Sequence, residues 1–415
     1  MRLLEVMKKT AVLDLLRRQF FEIVRCNDNQ ELIAIEQAIG RNLAEAIYAS
    51  ANMPEFKRSM MDGYAVRAAD TVGCSESAPV ILEVVGSSAM GENVDTVLKP
   101  GQALRISTGG MVPDGADAVV MVEYTEALES ELAILWPVAP RENVIDIGDD
   151  VRADEKLFNV GKKLEAHNIG VLAMLGVDTV WVRKKPTVGI ISTGDELVGI
   201  DEQPGIGQVR DVNTLNLAVF ACKYGCEVLQ KRCVKDNNEK IRAALQLMLA
   251  TCDIVLISGG SSVGEQDCTA EIINTMGKPG VLVHGVAIKP GKPTIVARTG
   301  DKAIFGLPGH PAACIMAFLA VVAPFIQEVL LGNSDALDSK KNCVEAKSGF
   351  QLHGGQGRDV FQLVKITTAN NVNVAVPLTG KSGMLSLLAQ ADGYIEISLD
   401  KEGLDIGEAV LVKLF

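Results

Sequence analysis

The clearest pattern of apolar and polar positions runs from Lys185 to about Gly332, where short apolar runs alternate with amphipathic stretches. The runs TVGIIST and DIVLIS are almost continuously apolar, which is typical of strands covered on both faces. Between them, TLNLAVFACKYG and NNEKIRAALQLMLA have helical spacing, with Asn213 placed to cap the first of these helices. Strands that alternate with helices of about 10–15 residues predict a doubly wound α/β domain, which we assign to residues 186–332.

The rest of the chain has other patterns. Short β segments separated by Gly, Asn and Asp predict a small antiparallel barrel or sandwich at residues 333–415. Segments such as VILEVVG and LAILWPVA predict a β-rich domain at residues 50–140. The flanking residues 1–49 and 141–185 have helical patterns, so they predict one domain made of two pieces with the β domain inserted between them. The predicted fold class is multidomain α/β plus β.

The longest apolar run, Ala312 to Ile326, is interrupted by Pro324. It falls short of the roughly 20 residues that a membrane span needs, so it predicts a buried helix and no membrane association. The N-terminal stretch from Met1 to Phe20 mixes charged and apolar residues, which favours an amphipathic helix over a signal peptide.

The formal net charge is −12, and the chain has no basic tail or lysine-arginine run. This argues against nucleic acid as a partner, because nothing would neutralise phosphates. The nine cysteines are odd in number and lack C-x-x-C spacing, and the four histidines are scattered. These features favour a reducing, cytoplasmic location and give no sign of a zinc site. Any anion site in so acidic a chain must depend on local cations and backbone N–H groups.

Three polar loops follow predicted strands of the α/β domain: STGDE, SGGSSVGEQD and GLPGHP. Ligands bind beyond the carboxyl ends of the strands in such sheets, so these loops are expected to cluster there. The carboxylate pair Asp195 and Glu196 could hold a hydrated Mg²⁺, and helix capping by Asp195 is the alternative. The second loop resembles phosphate cradles but lacks Walker and Rossmann spacing. Its candidate binding residues are Ser258, Gly259, Gly260 and Ser262, with Asp267 as a candidate carboxylate.

The segment VAIKPGKPTIV (286–296) holds Lys289 and Lys292 among prolines, which fix φ and limit mobility. Lysine binds oxyanions as a compact point charge, so this segment predicts an oxyanion site. The alternative is a surface turn with two solvated lysines. The neighbouring GLPGHPAA sequence leads a Gly/Pro turn into the start of a helix, which also favours anions.

Two loops of the predicted β-rich domain have candidate chemistry. MPEFKRSMMDGYAV contains Asp62, and LRISTGGMVPDGADAVVMVE places Thr108 before two glycines, where a backbone can approach a ligand closely. An ordinary loop and an ordinary turn are the alternatives.

Together and in this order, the segments resemble the molybdopterin molybdenumtransferase (MoeA) family, which is similar to the E domains of gephyrin and Cnx1. The resemblance covers nearly the whole chain. It rests on P-x-F-x-x-S-x-M-D-G-Y-A, T-G followed by A-D-A-V-V, S-T-G-D-E-L, S-G-G-x-S-x-G-x-x-D, K-P-G-K-P and G-L-P-G-x-P. It implies a MogA-like α/β domain, an inserted β domain, a bipartite elongated domain, a C-terminal barrel and a homodimer.

The family chemistry implied by this resemblance is molybdenum insertion from molybdate into adenylylated molybdopterin, with Mg²⁺ as cofactor and AMP as product. A molybdopterin adenylyltransferase is then a candidate partner. Lys289 and Lys292 would hold molybdate or phosphate oxygens. The other implied site residues are Glu196, Asp236 and Asp267 for substrate and Mg²⁺, Asp62 and Thr108 from the second domain, Pro308 and Pro311 at the floor, and Ser382 for substrate.

Three positions depart from the family pattern: Ile145 and Leu363 stand where arginines are usual, and Ala313 follows His310 in GHPAA. If Ile145 and Leu363 face the site, it has lost guanidinium donors, and Leu363→Arg is expected to strengthen oxyanion binding. These departures keep an alternative open, a MoeA-like paralogue that binds molybdopterin or nucleotide, or acts as a scaffold, without inserting molybdenum. Adenylylation of molybdopterin is a further alternative, although it needs only the α/β domain.

Overall fold

The computed structural model describes residues 6–25, 29–259, 263–333, 342–369, 371–380 and 384–415, with the side chains of 22–25 and 263–267 left out. The chain divides into two compact units. The first consists of Met1–Glu45, Val160–Ile169 and Asp178–Phe415, and the second of Ala46–Asn159 and Gly170–Val177. The four domain boundaries drawn from the sequence stay a prediction.

The α-helices are α1 (Lys9–Arg25), α2 (Ala166–Met174), α3 (Asn213–Lys223), α4 (Asn238–Thr251), α5 (Val263–Thr275), α6 (Pro311–Ala317) and α7 (Ser386–Gln390). Single 3₁₀ turns lie at Ile35–Gln37, Ala68–Thr71 and Val122–Tyr124, and π-helical windings at Phe318–Val322 and Phe325–Leu330.

The strands of the chain up to the α/β sheet are β1 (Gln30–Ala34), β2 (Ile47–Tyr48), β3 (Arg58–Ser59), β4 (Gly63–Val66), β5 (Val80–Ser88), β6 (Gln102–Ile106), β7 (Ala118–Met121), β8 (Thr125–Leu128), β9 (Glu131–Ile134), β10 (Val144–Ile145), β11 (Lys156–Phe158) and β12 (Thr179–Arg183). The following strands are β13 (Thr187–Thr193), β14 (Leu197–Val198), β15 (Val209–Arg210), β16 (Glu227–Val234), β17 (Ile254–Ser258), β18 (Pro279–His284), β19 (Ile288–Lys289), β20 (Ile295–Thr299) and β21 (Lys302–Leu307). The C-terminal strands are β22 (Cys343–Ser348), β23 (Leu352–His353), β24 (Asp359–Ala369), β25 (Val372–Pro377), β26 (Gly393–Ile397), β27 (Gly403–Leu404) and β28 (Ala409–Leu414).

The second unit contains a six-stranded sheet in the order β7-β4-β6-β5-β9-β8. Side chains on successive strand positions point to opposite faces, and both faces of this sheet are apolar, so its buried residues divide between two cores. Leu82, Ala103, Val120, Leu132 and Ile134 are all at most 3% exposed in one of these cores. The predicted strands VILEVVG and LAILWPVA lie in this sheet as β5 and β9.

The first unit contains the predicted α/β sheet, in the order β16-β13-β17-β21-β20-β18. The first four strands are parallel, and β20 and β18 continue the sheet antiparallel. Alternate residues of β17 enter two separate cores: Ile254 and Leu256 pack towards α3 and α6, and Val255 and Ile257 towards α4 and α5. Burial on both faces explains the continuous apolar run of this strand.

The segment Pro311–Leu330 is the one helix in the described part of the chain that is long and apolar enough, by length and composition only, to cross a membrane. Its most apolar window is 78% buried inside the protein. The Phe325 ring lies 4.9 Å from that of Phe20 and 5.4 Å from that of Phe305. The helix is thus the core element against which α1 and the sheet pack, and the predicted buried helix is confirmed.

The C-terminal strands close into a barrel, because β24 pairs with both β25 and β26 while β28 joins β22 to β26. The predicted strand VLVHGVAI is in fact two strands. It breaks at Gly285, so that β18 stays in the α/β sheet, whereas β19 pairs in parallel with β24 of the barrel through Ile288↔Asp359 and Lys289↔Val360. The barrel is therefore attached directly to the segment that contains the two candidate lysines.

A shared carboxylate joins the N-terminal helix to the barrel. Glu396 on β26 contacts the ammonium groups of Lys9 on α1 and Lys413 on β28, the latter at 2.7 Å. Burial and the neighbouring Lys413 charge lower the pKa of Lys9 to about 8, against the opposing attraction of Asp359. Burial also lowers the pKa of Lys413. Two ammonium groups are thus held where charge is costly, with Glu396 as their common counter-charge.

Glu396→Gln is expected to lower the free energy of unfolding by about 2 kcal/mol, less than the roughly 3–5 kcal/mol typical of a broken, fully buried ion pair, because these side chains are partly exposed. Urea unfolding followed by circular dichroism measures the change. Glu408→Gln is the control, because Glu408 pairs with Lys401 at the protein surface. Equal stability of Glu396→Gln and wild type would contradict the assignment.

Candidate functional site

The two-lysine segment is held by its own backbone and by the barrel. The backbone N–H groups of Val286 and Thr294 both donate to the Lys292 carbonyl, each at 2.9 Å, and the buried Thr294 hydroxyl donates to the Gly291 carbonyl at 2.6 Å. Gly291 has φ +115°, and a Cβ there would lie 2.8 Å from Ile288 Cδ1, so only glycine fits. The segment is therefore fixed between Ile288 and Thr294.

A cavity of about 210 Å³ opens beside this segment. Its lining comes from three stretches of chain: Ile288–Pro293, the turn residues Pro308 and His310 with Ala313 of α6, and Arg358 just before β24. Lys289, Lys292 and Arg358 are cationic, and no carboxylate lines the cavity. Among the residues that the structure describes, neither lysine forms an ion pair, so the positive charge of the cavity is not neutralised from within.

Arg358 is a residue that the sequence analysis missed. It lies next to Asp359, whose backbone N–H donates to the Ala287 carbonyl at 2.9 Å in the β19–β24 pairing. Arginine presents a planar set of donors that matches the oxygens of an oxyanion, which complements the point charges of the lysines. The signal was the GRDVF stretch, but only the strand pairing shows that Arg358 and Lys289 line the same cavity.

The end of β17 and the residue after it pack closely against two other strand ends. Ser258 is fully buried, with its hydroxyl 3.4 Å from the Pro308 carbonyl, so its side chain bonds within the protein. Gly259 has φ +146°, and a Cβ there would lie 2.0 Å from the Thr193 hydroxyl. Of the two candidate prolines, Pro308 lines the cavity, whereas Pro311 begins α6 outside the lining. The predicted residues Gly260, Ser262 and Ser382 lie outside the described residues.

Carboxylates gather at the neighbouring strand ends. β13 and β16 pair in parallel with Thr193 opposite Val234, so Glu196 and Asp236 both follow the carboxyl ends of adjacent strands. The Asp236 backbone N–H donates to Asp195 Oδ1 at 3.3 Å, which joins the two loops. Asp195 thus binds a neighbouring loop, and the alternative that it caps a helix is wrong.

The side chain of Asp267, on α5, lies outside the described residues. Among the side chains that are described, no three His, Cys, Asp or Glu groups are arranged to hold a metal ion.

Asp62 and Thr108 meet within the second unit. The Thr108 backbone N–H and hydroxyl both donate to Asp62 Oδ1, at 2.7 and 3.1 Å. The next residue, Gly63, must be a glycine, because a Cβ there would lie 1.9 Å from the Val120 carbonyl oxygen. The two loops predicted separately from the sequence therefore form one Asp–Thr pair.

The three residues that depart from the family pattern lie in different parts of the structure. Leu363 is 8% exposed and packs with Phe361 and Tyr394 in the core beneath the barrel, outside the cavity lining. The premise that Leu363 faces the site is therefore contradicted, and an arginine at this position would be buried among apolar side chains. Ile145 pairs with Arg58 in the second unit, and Ala313 lines the cavity.

Family models match most of the chain. The model described as "MoeA N-terminal region (domain I and II)" matches residues 7–176, "Probable molybdopterin binding domain" residues 189–328, and "MoeA C-terminal region (domain IV)" residues 345–415.

Relatives extend over nearly the full length. The molybdopterin molybdenumtransferase of Bacillus subtilis is 34% identical over 390 residues, 92% of this chain and 89% of the relative. That of Haemophilus influenzae is 30% identical and covers 97% and 98%. The crystal structure of the molybdopterin biosynthesis MoeA protein of Pyrococcus horikoshii is 34% identical, with a TM-score of 0.81 over 99% of both chains. The predicted fold class, with its MogA-like domain and C-terminal barrel, is confirmed.

Lys289→Ala and Lys292→Ala are each expected to weaken binding of a tetrahedral oxyanion in the cavity, for which molybdate serves as the probe. A charge-assisted hydrogen bond contributes roughly 1.5–3 kcal/mol, which corresponds to a loss of about ten- to a hundredfold in affinity. Calorimetric titration with molybdate measures the loss. Lys278→Ala is the matched control, because Lys278 also precedes a proline but is exposed outside the cavity lining. Equal losses in all three variants would show only a general effect of net charge.

Proposed function

This chain belongs to the MoeA family, and we propose that it is a molybdopterin molybdenumtransferase that inserts molybdenum from molybdate into adenylylated molybdopterin and releases AMP. Its relatives support a role in molybdenum cofactor biosynthesis and the enzyme class of a transferase. The molybdopterin-binding model over residues 189–328 fits a molybdopterin-related substrate. The proposal goes beyond this role in three respects: the substrate is adenylylated, molybdate is the source of molybdenum, and AMP is released.

The observation that carries the proposal is the cation-lined cavity. Lys289, Lys292 and Arg358 surround a space free of carboxylates in a chain whose formal net charge is −12. Molybdate is a tetrahedral dianion, and the charge and donors of these three side chains complement its oxygens. The prolines on either side of Gly291 and the buried Thr294 keep the segment in place, so little order is lost when an oxyanion binds.

The adjacent carboxylates suit the nucleotide end of the substrate. Glu196 and Asp236 are exposed at the ends of paired strands, and Mg²⁺ takes one or two carboxylates while it keeps several waters. These residues therefore fit the ion, with Asp267 as a third candidate. When bound, Mg²⁺ would supply positive charge against the phosphoanhydride that is cleaved. The Lys235 ammonium donates to the Asp195 carbonyl at 2.6 Å and so steadies this loop.

The remaining assignments come from family membership. Asp62 and Thr108 would contact the substrate, and Ser262, Gly260 and Ser382 would bind its phosphate or pterin. A molybdopterin adenylyltransferase is the proposed upstream partner, and the cytoplasm the proposed location. A paralogue that binds molybdopterin without inserting molybdenum would have the same fold and differ only in turnover.

Glu196→Gln and Asp267→Asn are expected to lower molybdate-dependent AMP release at least about a hundredfold, because each removes one carboxylate charge at nearly constant volume from a site built for Mg²⁺. Purified protein is assayed with adenylylated molybdopterin, molybdate and Mg²⁺. Glu202→Gln is the control, since Glu202 is another exposed carboxylate in the loop after β14. Unchanged AMP release in both variants would remove these carboxylates from the mechanism. If the wild type releases no AMP, the result favours the alternative of a paralogue that binds molybdopterin without inserting molybdenum.

The proposed assembly is a homodimer, in which the second domain and barrel of one subunit complete the cleft of the other. Light scattering at micromolar concentration is expected to give twice the chain mass of 44.2 kDa. A monodisperse monomer over the same range of concentration would contradict this assembly.

A further inference from the structure

Asn213 lies beneath the candidate site with an unusual set of contacts. It is 6% exposed, and its side-chain NH₂ group donates to the Ser258 hydroxyl at 2.8 Å and to the Gly309 carbonyl at 2.7 Å. The sequence pattern predicts that this side chain caps α3. That expectation is wrong, because α3 begins at Asn213 itself and the side chain points away from the helix N–H groups that a cap would satisfy.

The two acceptors belong to different strand ends. Ser258 ends β17, and Gly309 lies in the turn after β21, between the cavity-lining residues Pro308 and His310. The Ser258 hydroxyl donates in turn to the Pro308 carbonyl at 3.4 Å. One planar amide therefore fixes the distance between the β17 loop and the turn that forms one wall of the cavity.

The backbone that precedes Asn213 is held in place by hydrogen bonds of Asp211. Asp211 is 7% exposed, and its carboxylate accepts from the Thr214 backbone N–H at 3.2 Å and from the Thr214 hydroxyl at 2.5 Å. The Asp211 backbone N–H donates to the Val198 carbonyl at 2.9 Å. These hydrogen bonds hold the start of α3 against β14. The Asn213 side chain therefore bonds the turn from a fixed position.

The oxygen of the same amide has no hydrogen-bond donor among the residues that the structure describes. This atom, Asn213 Oδ1, is buried. A buried acceptor without a donor destabilises the folded state. Leucine has nearly the same branched shape without that oxygen, so packing alone does not call for an amide at this position. The two donated hydrogen bonds are what leucine would lack.

We infer that Asn213 is a positioning residue for the proposed oxyanion site: it holds the Pro308–His310 turn against the Lys289–Lys292 segment and thereby sets the affinity for molybdate. This inference rests on the proposed function. Asn213 lies outside the cavity lining and acts through the turn. Loss of the bridge lets one wall of the cavity shift while all three cationic side chains stay present.

The test compares binding with stability. Asn213→Leu is expected to weaken molybdate binding about tenfold or more in calorimetric titration, because small displacements of binding groups are costly. Its melting temperature is expected to stay within about 3 °C of wild type, since the unpaired oxygen disappears together with the two bonds. A side chain with only a structural role would change the melting temperature and leave the affinity unchanged.

Asn42→Leu is the matched control. Asn42 is 3% exposed in the same unit and donates to the Gly161 carbonyl at 3.1 Å, but it does not contact the cavity-lining turn. It is expected to lower the melting temperature without changing molybdate affinity. Should Asn213→Leu fail to fold, Ser258→Ala carries the test, with an expected loss of about threefold from one broken bridge bond.

The outcomes separate the two proposals. If wild type binds molybdate and both Asn213→Leu and Ser258→Ala bind it equally well, the positioning role is wrong and the proposed function stands. If wild type itself does not bind molybdate, the proposed function fails, and the positioning role fails with it.

Discussion

The parallel pairing of Ile288–Lys289 with Asp359–Val360 is the contact on which the candidate site depends. It attaches a closed barrel to the segment that leaves the α/β sheet after Gly285. It also brings Arg358, about 70 positions away in sequence, beside two lysines that a glycine and a buried threonine already hold in place. Asp359 supports the pairing from inside the barrel, since its buried carboxylate accepts from the Leu399 backbone N–H at 2.9 Å.

Local electrostatics resolve the difficulty of an anion site in an acidic chain. The cavity gathers Lys289, Lys292 and Arg358 without a carboxylate in its lining, whereas the exposed acids Glu196 and Asp236 follow the ends of β13 and β16. Charges separated by more than about a Debye length of 8–10 Å are largely screened at the surface, so the net charge matters less to a bound oxyanion than its nearest side chains. The acids follow β13 and β16, and the turn that lines the cavity follows β21, on the same edge of the parallel strands. This distribution of charge suits the proposed substrate, which combines an oxyanion with a metal-bound phosphate.

Buried and half-buried polar groups hold the parts of the first unit in register. Glu396 shared between Lys9 and Lys413 ties α1 to the barrel, and the Asn213 amide ties two strand ends together. Both arrangements cost stability, through depressed lysine pKa values in one case and an unpaired oxygen in the other. Apolar contacts such as Phe20 against Phe325 supply the cohesion, but they do not specify a single position as directional hydrogen bonds do.

The sequence by itself determined the doubly wound sheet, the buried helix around Ala312 to Ile326 and the two lysines that line the cavity, because apolar periodicity and proline-glycine constraints act over a few neighbouring residues. It also led to Pro308 and to the Asp62 and Thr108 loops through the motifs. Tertiary structure alone decided that Leu363 enters the core, that Arg358 joins the lysines, and that Asn213 bridges two strand ends instead of capping its helix. Each of these depends on which distant strand or turn lies alongside. That choice is fixed by backbone pairing and packing across tens to more than a hundred residues, which no local pattern encodes.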